Sequence, residues 1–181
     1  STNSRALIRC TDFTARPSHA DQLHVDLWIR GQNIACDAGT YLYSGEGVWW
    51  NGLAHTSTHN TVTVDGKDQM SMLSRFTWTN WSMGKVLQHK ENLWQGEHDG
   101  YARRGVHHAR SVLLLGADRW LIVDHLVGNR PHRFSLQWLL NDFPHSVTPE
   151  QNLILLSTET DKFQIRMGLL EGDSNFSLVR G

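Results

Sequence analysis

Three short islands of this 181-residue chain carry side chains able to do chemistry. They are Arg16-Pro17-Ser18-His19-Ala20-Asp21, Asp37-Ala38-Gly39-Thr40-Tyr41 and His59-Asn60-Thr61-Val62-Thr63-Val64-Asp65-Gly66. Two imidazoles and one carboxylate, His19, His59 and Asp37, make a ligand set suited to tetrahedral zinc, with the fourth position left to water or a substrate oxygen. The same residues also suit a plainer use. A histidine at a strand end commonly caps or hydrogen-bonds, and an aspartate before Ala38-Gly39 suits a turn.

The elements around these islands explain how they would meet. Leu23, Val25, Leu27 and Ile29 alternate with polar neighbours, which predicts a half-buried strand turned at Gly31-Gln32. Asn33–Cys36 would pair back on it, and a hairpin sets the start of its first strand beside the end of its second. His19 and Asp37 therefore meet, and His59 joins them if the strand at Thr61–Val64 pairs nearby. Asp65-Gly66 closes that strand with a hairpin-turn signal. Further strands are expected at 106–115, 120–127, 132–140, 153–158, 163–167 and 176–179, and the amino end runs straight into another. No segment sustains a helical period. Many short strands with turns between them indicate an all-β sandwich or barrel, in one domain over residues 1–181.

Composition narrows the partners. The net charge of −1 supplies no basic footprint for nucleic acid, and apolar stretches such as Val112–Leu115 are too short to span a bilayer. The opening Ser1-Thr2-Asn3-Ser4-Arg5 does not read as a signal peptide and has the look of a cut end, so a longer parent chain is expected. Cys10 and Cys36 permit one disulfide. Eight Trp and eleven His stand out. Trp faces suit sugar stacking as well as ordinary cores. The segment from Tyr43 to Thr58, rich in Gly, Trp and small polar residues, is the longest without strand character, and such loops are often functional. It offers Tyr43 and His55 as catalytic candidates. Trp49 and Trp50, with Tyr41 just before and Arg16 in the first island, are substrate-binding candidates. Asp65, Asp124 and the His107-His108 pair read as strand-end or surface residues.

The blocks His19-Ala20-Asp21-x-Leu23-His24, Gly31-x-Asn33-x-x-x-Asp37-x-Gly39-Thr40-Tyr41 and His59-Asn60-Thr61-Val62-x-Val64-Asp65 resemble the heparinase II/III-like family of heparin, heparan and related alginate lyases. The likeness runs from about Arg5 through Leu140 and includes His108-x-Arg110-Ser111-Val112 and Val123-Asp124. It implies a large antiparallel β-sandwich that follows an N-terminal α/α toroid, the cleft between them binding an acidic polysaccharide. It also implies a structural zinc at the positions of His19, Asp37 and His59, and an extracytoplasmic (periplasmic or secreted) setting. In one respect the chain departs from the pattern. Family lyases carry a catalytic histidine two residues before the first zinc ligand, and here that residue is Pro17, which has no titratable group.

Family lyases cleave uronic-acid glycans by β-elimination. Charge that builds on the substrate carboxylate is neutralised by a donor or cation, and Tyr or His groups move the protons. The resemblance places much of that machinery on the toroid, so this chain alone is expected to be inactive or nearly so. The competing expectations are a carbohydrate-binding module without catalysis and a purely structural β-domain.

Overall fold

The computed structural model describes residues 4–40, 42, 44–170 and 172–179. Tyr41 and Tyr43 lie outside the described residues. The described residues form strands and short 3-10 turns, with no α-helix among them. The chain divides into two compact units, residues 1–141 and 142–181.

In the first unit, β1 (Ser4–Ile8), β2 (Val25–Ile29) and β3 (Gln32–Ala35) make an antiparallel sheet in that order. β4 (Val62–Val64) follows, and β5 (Ser71–Ser74) pairs with β6 (Thr77–Thr79). β7 (Gly84–Lys90), β8 (Leu93–His98), β9 (Val106–Leu114) and β10 (Trp120–Gly128) form a four-stranded antiparallel meander. β11 (Phe134–Leu136) returns to pair with β4. In the second unit, β12 (His145–Thr148), β13 (Leu153–Ser157) and β14 (Lys162–Arg166) form an antiparallel sheet. The fold class is all-β and antiparallel, the sandwich class expected.

The β2–β3 turn shows why the local code works. Arg30 (φ 53°) and Gly31 (φ 77°) both sit at positive φ, the requirement of the tight turn whose twist matches two paired strands. The turn lies one residue earlier than expected because Gln32 already pairs with Ile29. Val25, Leu27, Ile29 and Ile34 face the core. A second apolar cluster of Ala20, Ala54, Met70 and Trp78, flanked by Phe13 and Met72, lies under the loop that leads to His59.

Several expectations need correction. The alternation that starts at Leu23 does not start a strand there: Leu23 has φ 61°, a left-handed backbone that costs a non-glycine residue about 1–2 kcal/mol. Asp65 (φ 54°) and Gly66 (φ 64°) do turn the chain, yet only one bridge, Val64 to Lys67, follows. β4 instead takes a distant partner, β11. Residues 176–179 are not a strand. The loop before His59 is wound into three short 3-10 turns, Gly47–Trp49, Gly52–Ala54 and Thr56–Thr58. His108 is fully buried and Asp124 nearly so, which removes both from the surface class. Asp65 is the strand-end residue expected, accepting from the Arg133 N–H at 3.0 Å. Cys10 and Cys36 are free thiols.

Strands β5 to β8 and β12 had no clean alternation to announce them. In β8, Gly96 interrupts the pattern for a packing reason. A Cβ there would lie 2.4 Å from the Trp94 indole. The glycine makes room for the ring.

Candidate functional site

His59 is fully buried and is the hub of the site. Its Nε2 lies 3.2 Å from His19 Nδ1, and its Nδ1 lies 3.3 Å from Asp37 Oδ2. His24, also buried, brings Nε2 to 3.4 Å from the same Asp37 oxygen. The structure thus gathers all three sequence-predicted ligands, but on opposite edges of one imidazole. Two groups of potential ligand atoms lie within 4.8 Å of one another: His19, Asp21 and His59, and His24, Asp37 and His59. A single ion can take only one of the His59 nitrogens.

Strand pairing brings the segments near one another, since β2 pairs with β3 and β3 reaches the β11–β4 pair through the Ala35–Leu140 bridge. The ties between them are completed by one residue, Asn60. Its side-chain amide donates to the carbonyls of Val25 and Cys36, both at 2.9 Å, and its Oδ1 accepts from the Leu139 N–H at 2.5 Å. Its backbone N–H donates to His24 Nδ1 at 2.9 Å. One buried residue therefore pins the start of β2, the end of β3 and the segment that carries His59.

The Asn60 bond also fixes a tautomer. An Nδ1 that accepts a backbone N–H cannot carry a proton, so neutral His24 is protonated on Nε2. That nitrogen has no lone pair to give a metal. His24 orients the Asp37 carboxylate instead, as supporting residues around metal sites do. His59 Nδ1 is buried without a closed hydrogen bond, 3.3 Å from Asp37 Oδ2. Buried polar atoms left in this state mark a place where a ligand fits. The donor set of imidazoles and carboxylates suits a divalent ion such as zinc.

Below the cluster runs a second polar array. Arg110, itself buried, forks onto Asp124 through Nε at 2.7 Å and a terminal nitrogen at 2.8 Å. Its other terminal nitrogen donates to the carbonyls of Leu23 and Asn60, each at 2.6 Å. This bond helps hold the strained Leu23 backbone beside His24. Asp124 also accepts from His108 Nε2 at 2.7 Å, and His108 Nδ1 meets His98 Nε2 at 3.0 Å. His98 Nδ1 accepts the Gly100 N–H at 3.1 Å, which sets the tautomers of the whole row. Ser82 Oγ lies 3.0 Å from that nitrogen.

These environments set the charge states. Burial pushes the His24 pKa down to about 4 and lowers those of His98 and His108, and burial with the nearby His59 lowers that of His19. The His59 imidazole and the Gly39 N–H hold the Asp37 carboxyl well below its usual range, against the opposing effect of burial. The unfolded chain binds protons at histidines near pH 6.5, so between there and the lowered folded values it binds more than the native state. The histidine contribution is present above about pH 6.5 and is lost as pH falls toward about 4, with His24 alone worth on the order of 3 kcal/mol over that window. Urea midpoints at about pH 7.5 and about pH 5 should show a clear loss at the lower value; equal midpoints would contradict these buried neutral rings.

The remaining candidates are placed as follows. Arg16 is exposed. Trp49 and Trp50 are 55% and 39% exposed on the turns before His59, whereas Trp78 is buried in the cluster beneath. His55 Nδ1 bonds to Asp68 Oδ2 at 2.7 Å. A cleft of about 730 Å³ is lined by Lys85, Glu97, His98, Asp99 and His107 among others, and holds none of the predicted site residues. Its charges already have uses: His107 pairs with Glu97 at 2.9 Å and Asp99 caps the Met83 N–H. Sequence reasoning missed His24, Asn60, Asp68 and Arg110 as site-building residues. Those in the first and third blocks were in view, but nothing in a spacing says which backbone groups a side chain will reach.

Comparison with known proteins agrees with this architecture. The family model described as "Heparinase II/III-like, C-terminal" matches residues 3–174. A heparin-sulfate lyase of Pedobacter heparinus is 24% identical over 165 residues, which is 90% of this chain and 23% of the relative. A heparin-sulfate lyase of Bacteroides stercoris is 30% identical over 118 residues, 62% of this chain and 16% of the relative. The chain therefore spans less than a quarter of the length of these relatives. Among solved structures, a heparinase III gene product superposes with a TM-score of 0.68 at 23% identity, covering 86% of this chain and 23% of that one. A heparan sulfate lyase mutant from Pedobacter heparinus gives 0.65 at 20% identity, covering 86% and 24%. On these matches the chain belongs to the heparinase II/III-like family and corresponds to its C-terminal domain.

Proposed function

We propose that this domain is the β-sandwich wall of a cleft in a larger polysaccharide lyase, which cleaves an acidic, uronic-acid-containing glycan by β-elimination. An upstream α/α toroid would form the opposing wall, and the setting would be periplasmic or secreted. The observation that carries this reading is the convergence of His19, Asp37 and His59, from separate segments, on one buried hub. Its relatives include proteins named heparin-sulfate lyases, which supports an acidic glycan as the substrate class.

In this reading a zinc ion braces the wall. His59 and His19 would hold it with Asp21, whose carboxylate groups with them, or with Asp37 after a side-chain shift, since Asp37 faces the other His59 nitrogen. A bound divalent ion supplies positive charge and fixes the two loops relative to each other. Asp21 keeps one oxygen on Arg9 Nε at 3.1 Å, so its second oxygen is the one on offer. Asp37 is aligned by His24 and by the Gly39 N–H at 2.6 Å. Exposed Trp49 and Trp50 present flat apolar faces of the kind that pack on sugar rings.

Metal analysis tests the brace. Protein purified without chelator should contain about one zinc per chain, in keeping with a two-histidine, one-carboxylate set whose fourth position is left to water. His59→Ala and His19→Ala should each lose it. Of Asp21→Asn and Asp37→Asn, the variant that loses zinc names the carboxylate ligand. An absence of zinc in the parent protein would remove the brace and favour a metal-free carbohydrate-binding wall.

A further inference from the structure

His55 stands on the 3-10 loop before the hub, in an arrangement the zinc cluster does not use. Its Nδ1 bonds to Asp68 Oδ2 at 2.7 Å, while Asp68 Oδ1 accepts the Thr56 N–H at 2.8 Å. The carboxylate is thus held at both oxygens and cannot swing away. The ring stands edge-on to Trp78, with centroids 5.9 Å apart and planes at 78°. Trp78 is itself fixed by its Nε1 bond to the Ser18 carbonyl at 3.0 Å. A third of the His55 side chain remains exposed. Nε2 has no hydrogen-bond partner among the described residues.

The loop is also stitched to the first island. The Ala20 N–H donates to the Ala54 carbonyl at 2.9 Å, and Thr56 Oγ1 donates to the Ala20 carbonyl at 2.8 Å. His55 and His19 therefore sit on adjoining, hydrogen-bonded segments, and Trp49 and Trp50 lie on the turns just before. Asp68 is the charged group that faces His55; the other packed neighbour, Trp78, is neutral.

We propose that His55, oriented by Asp68, is a catalytic proton carrier of this wall, an inference that rests on the lyase reading above. Asp68 accepts the Nδ1 proton, so Nε2 carries the lone pair, on a side chain that is one-third exposed. In the elimination, Nε2 takes the proton from the carbon beside the substrate carboxylate. The released electron pair forms the carbon–carbon double bond as the adjacent carbon–oxygen bond breaks. The imidazolium then returns its proton to the departing oxygen, and His55 ends neutral. One group serves as base and then acid, so no further reactant is needed. Asp68 is the positioning residue. Its hydrogen bond and charge also raise the pKa of His55 against the opposing effect of burial, which makes Nε2 a stronger base.

The experiment uses the native full-length chain that carries this domain, assayed on heparan and alginate by the absorbance of the unsaturated product. His55→Ala should lower kcat by about 10²–10⁴-fold, the usual worth of a positioned acid–base group, with zinc content and urea midpoint close to those of the parent. Added imidazole should restore part of the lost rate. Asp68→Asn should lower kcat less and move the acid limb of the kcat profile to lower pH, a change that a merely structural aspartate would not produce. Lyase activity within twofold of the parent in His55→Ala, or a loss that imidazole cannot rescue, overturns the role of His55 and leaves the lyase reading standing. A parent chain inactive on every uronic-acid polymer overturns both.

Discussion

Asp124→Ala should destabilise the domain by about 3–5 kcal/mol, the cost of breaking a buried ion pair from one side. Arg110 is buried and has two hydrogen bonds to this carboxylate, at 2.7 and 2.8 Å. Remove Asp124 and the guanidinium stays charged, because arginine does not deprotonate in proteins. His108 Nε2 loses its acceptor at 2.7 Å as well. Asp124→Asn keeps the shape but sets an amide N–H against the Arg110 fork, so it should recover little. Removing both charges, as in Arg110→Met with Asp124→Leu, should cost less than Asp124→Ala, because no unpaired charge remains. Urea unfolding of the three variants gives the comparison. An Asp124→Ala midpoint within about 1 kcal/mol of the parent would show that the pair contributes no more than an exposed one. The pH dependence has a defined sign. Burial alone would push the Asp124 carboxyl up, but Arg110 and His108 hold it well below the usual range. Its contribution is therefore complete above about pH 4 and is lost only as pH falls through the depressed folded value.

The same pair shows where the sequence could be read and where it could not. β2, β3, β9, β10 and β13 were legible because each has apolar residues in a strand-like run between turn residues. The Arg30-Gly31 turn was legible to within one residue. β7 was not, because Lys85, Gln88 and Lys90 leave it no clean apolar face. By pattern Asp124 and His108 read as strand-end or surface residues, because charged residues at strand ends usually are exposed. What reversed that was Arg110, on the neighbouring strand β9, paired with Asp124 across the ladder. Register of that kind depends on which strands meet, and local pattern does not encode it. The site divides along the same line. His19, Asp37 and His59 were legible as types and spacings, and the structure brings them together. Their split across the two edges of His59, and the role of His24, follow from individual backbone hydrogen bonds. The expected route, in which Thr61–Val64 pairs near the first hairpin, is taken indirectly: β4 pairs with β11, and the segment just after β11 bridges to β3 at Ala35 and Leu140.

Asn60→Ala should then be more damaging than its small size suggests. The side chain makes three buried or part-buried hydrogen bonds, to Val25 O, Cys36 O and the Leu139 N–H. Alanine leaves all three groups unpaired, and at about 1–3 kcal/mol for each unsatisfied group the loss should reach about 3–5 kcal/mol. Asn60→Asp is the sharper variant. It preserves volume and the acceptor toward Leu139, but it points a carboxylate oxygen at two carbonyls and should be no better tolerated. Thr63→Ala is the control from the same segment. It removes one long contact, Oγ1 to Ser135 O at 3.4 Å, and should cost less than about 1 kcal/mol. Stability alone does not distinguish a core polar residue from the organiser of a site, so the second readout is His24. In the parent protein, nitrogen NMR should find its proton on Nε2. Once Asn60 no longer holds the segments after His59 and before β2 together, that single tautomer should give way to a mixture, and zinc binding should weaken with it. If Asn60→Ala costs no more than Thr63→Ala and His24 keeps its tautomer, strand pairing assembles the cluster and Asn60 merely decorates it.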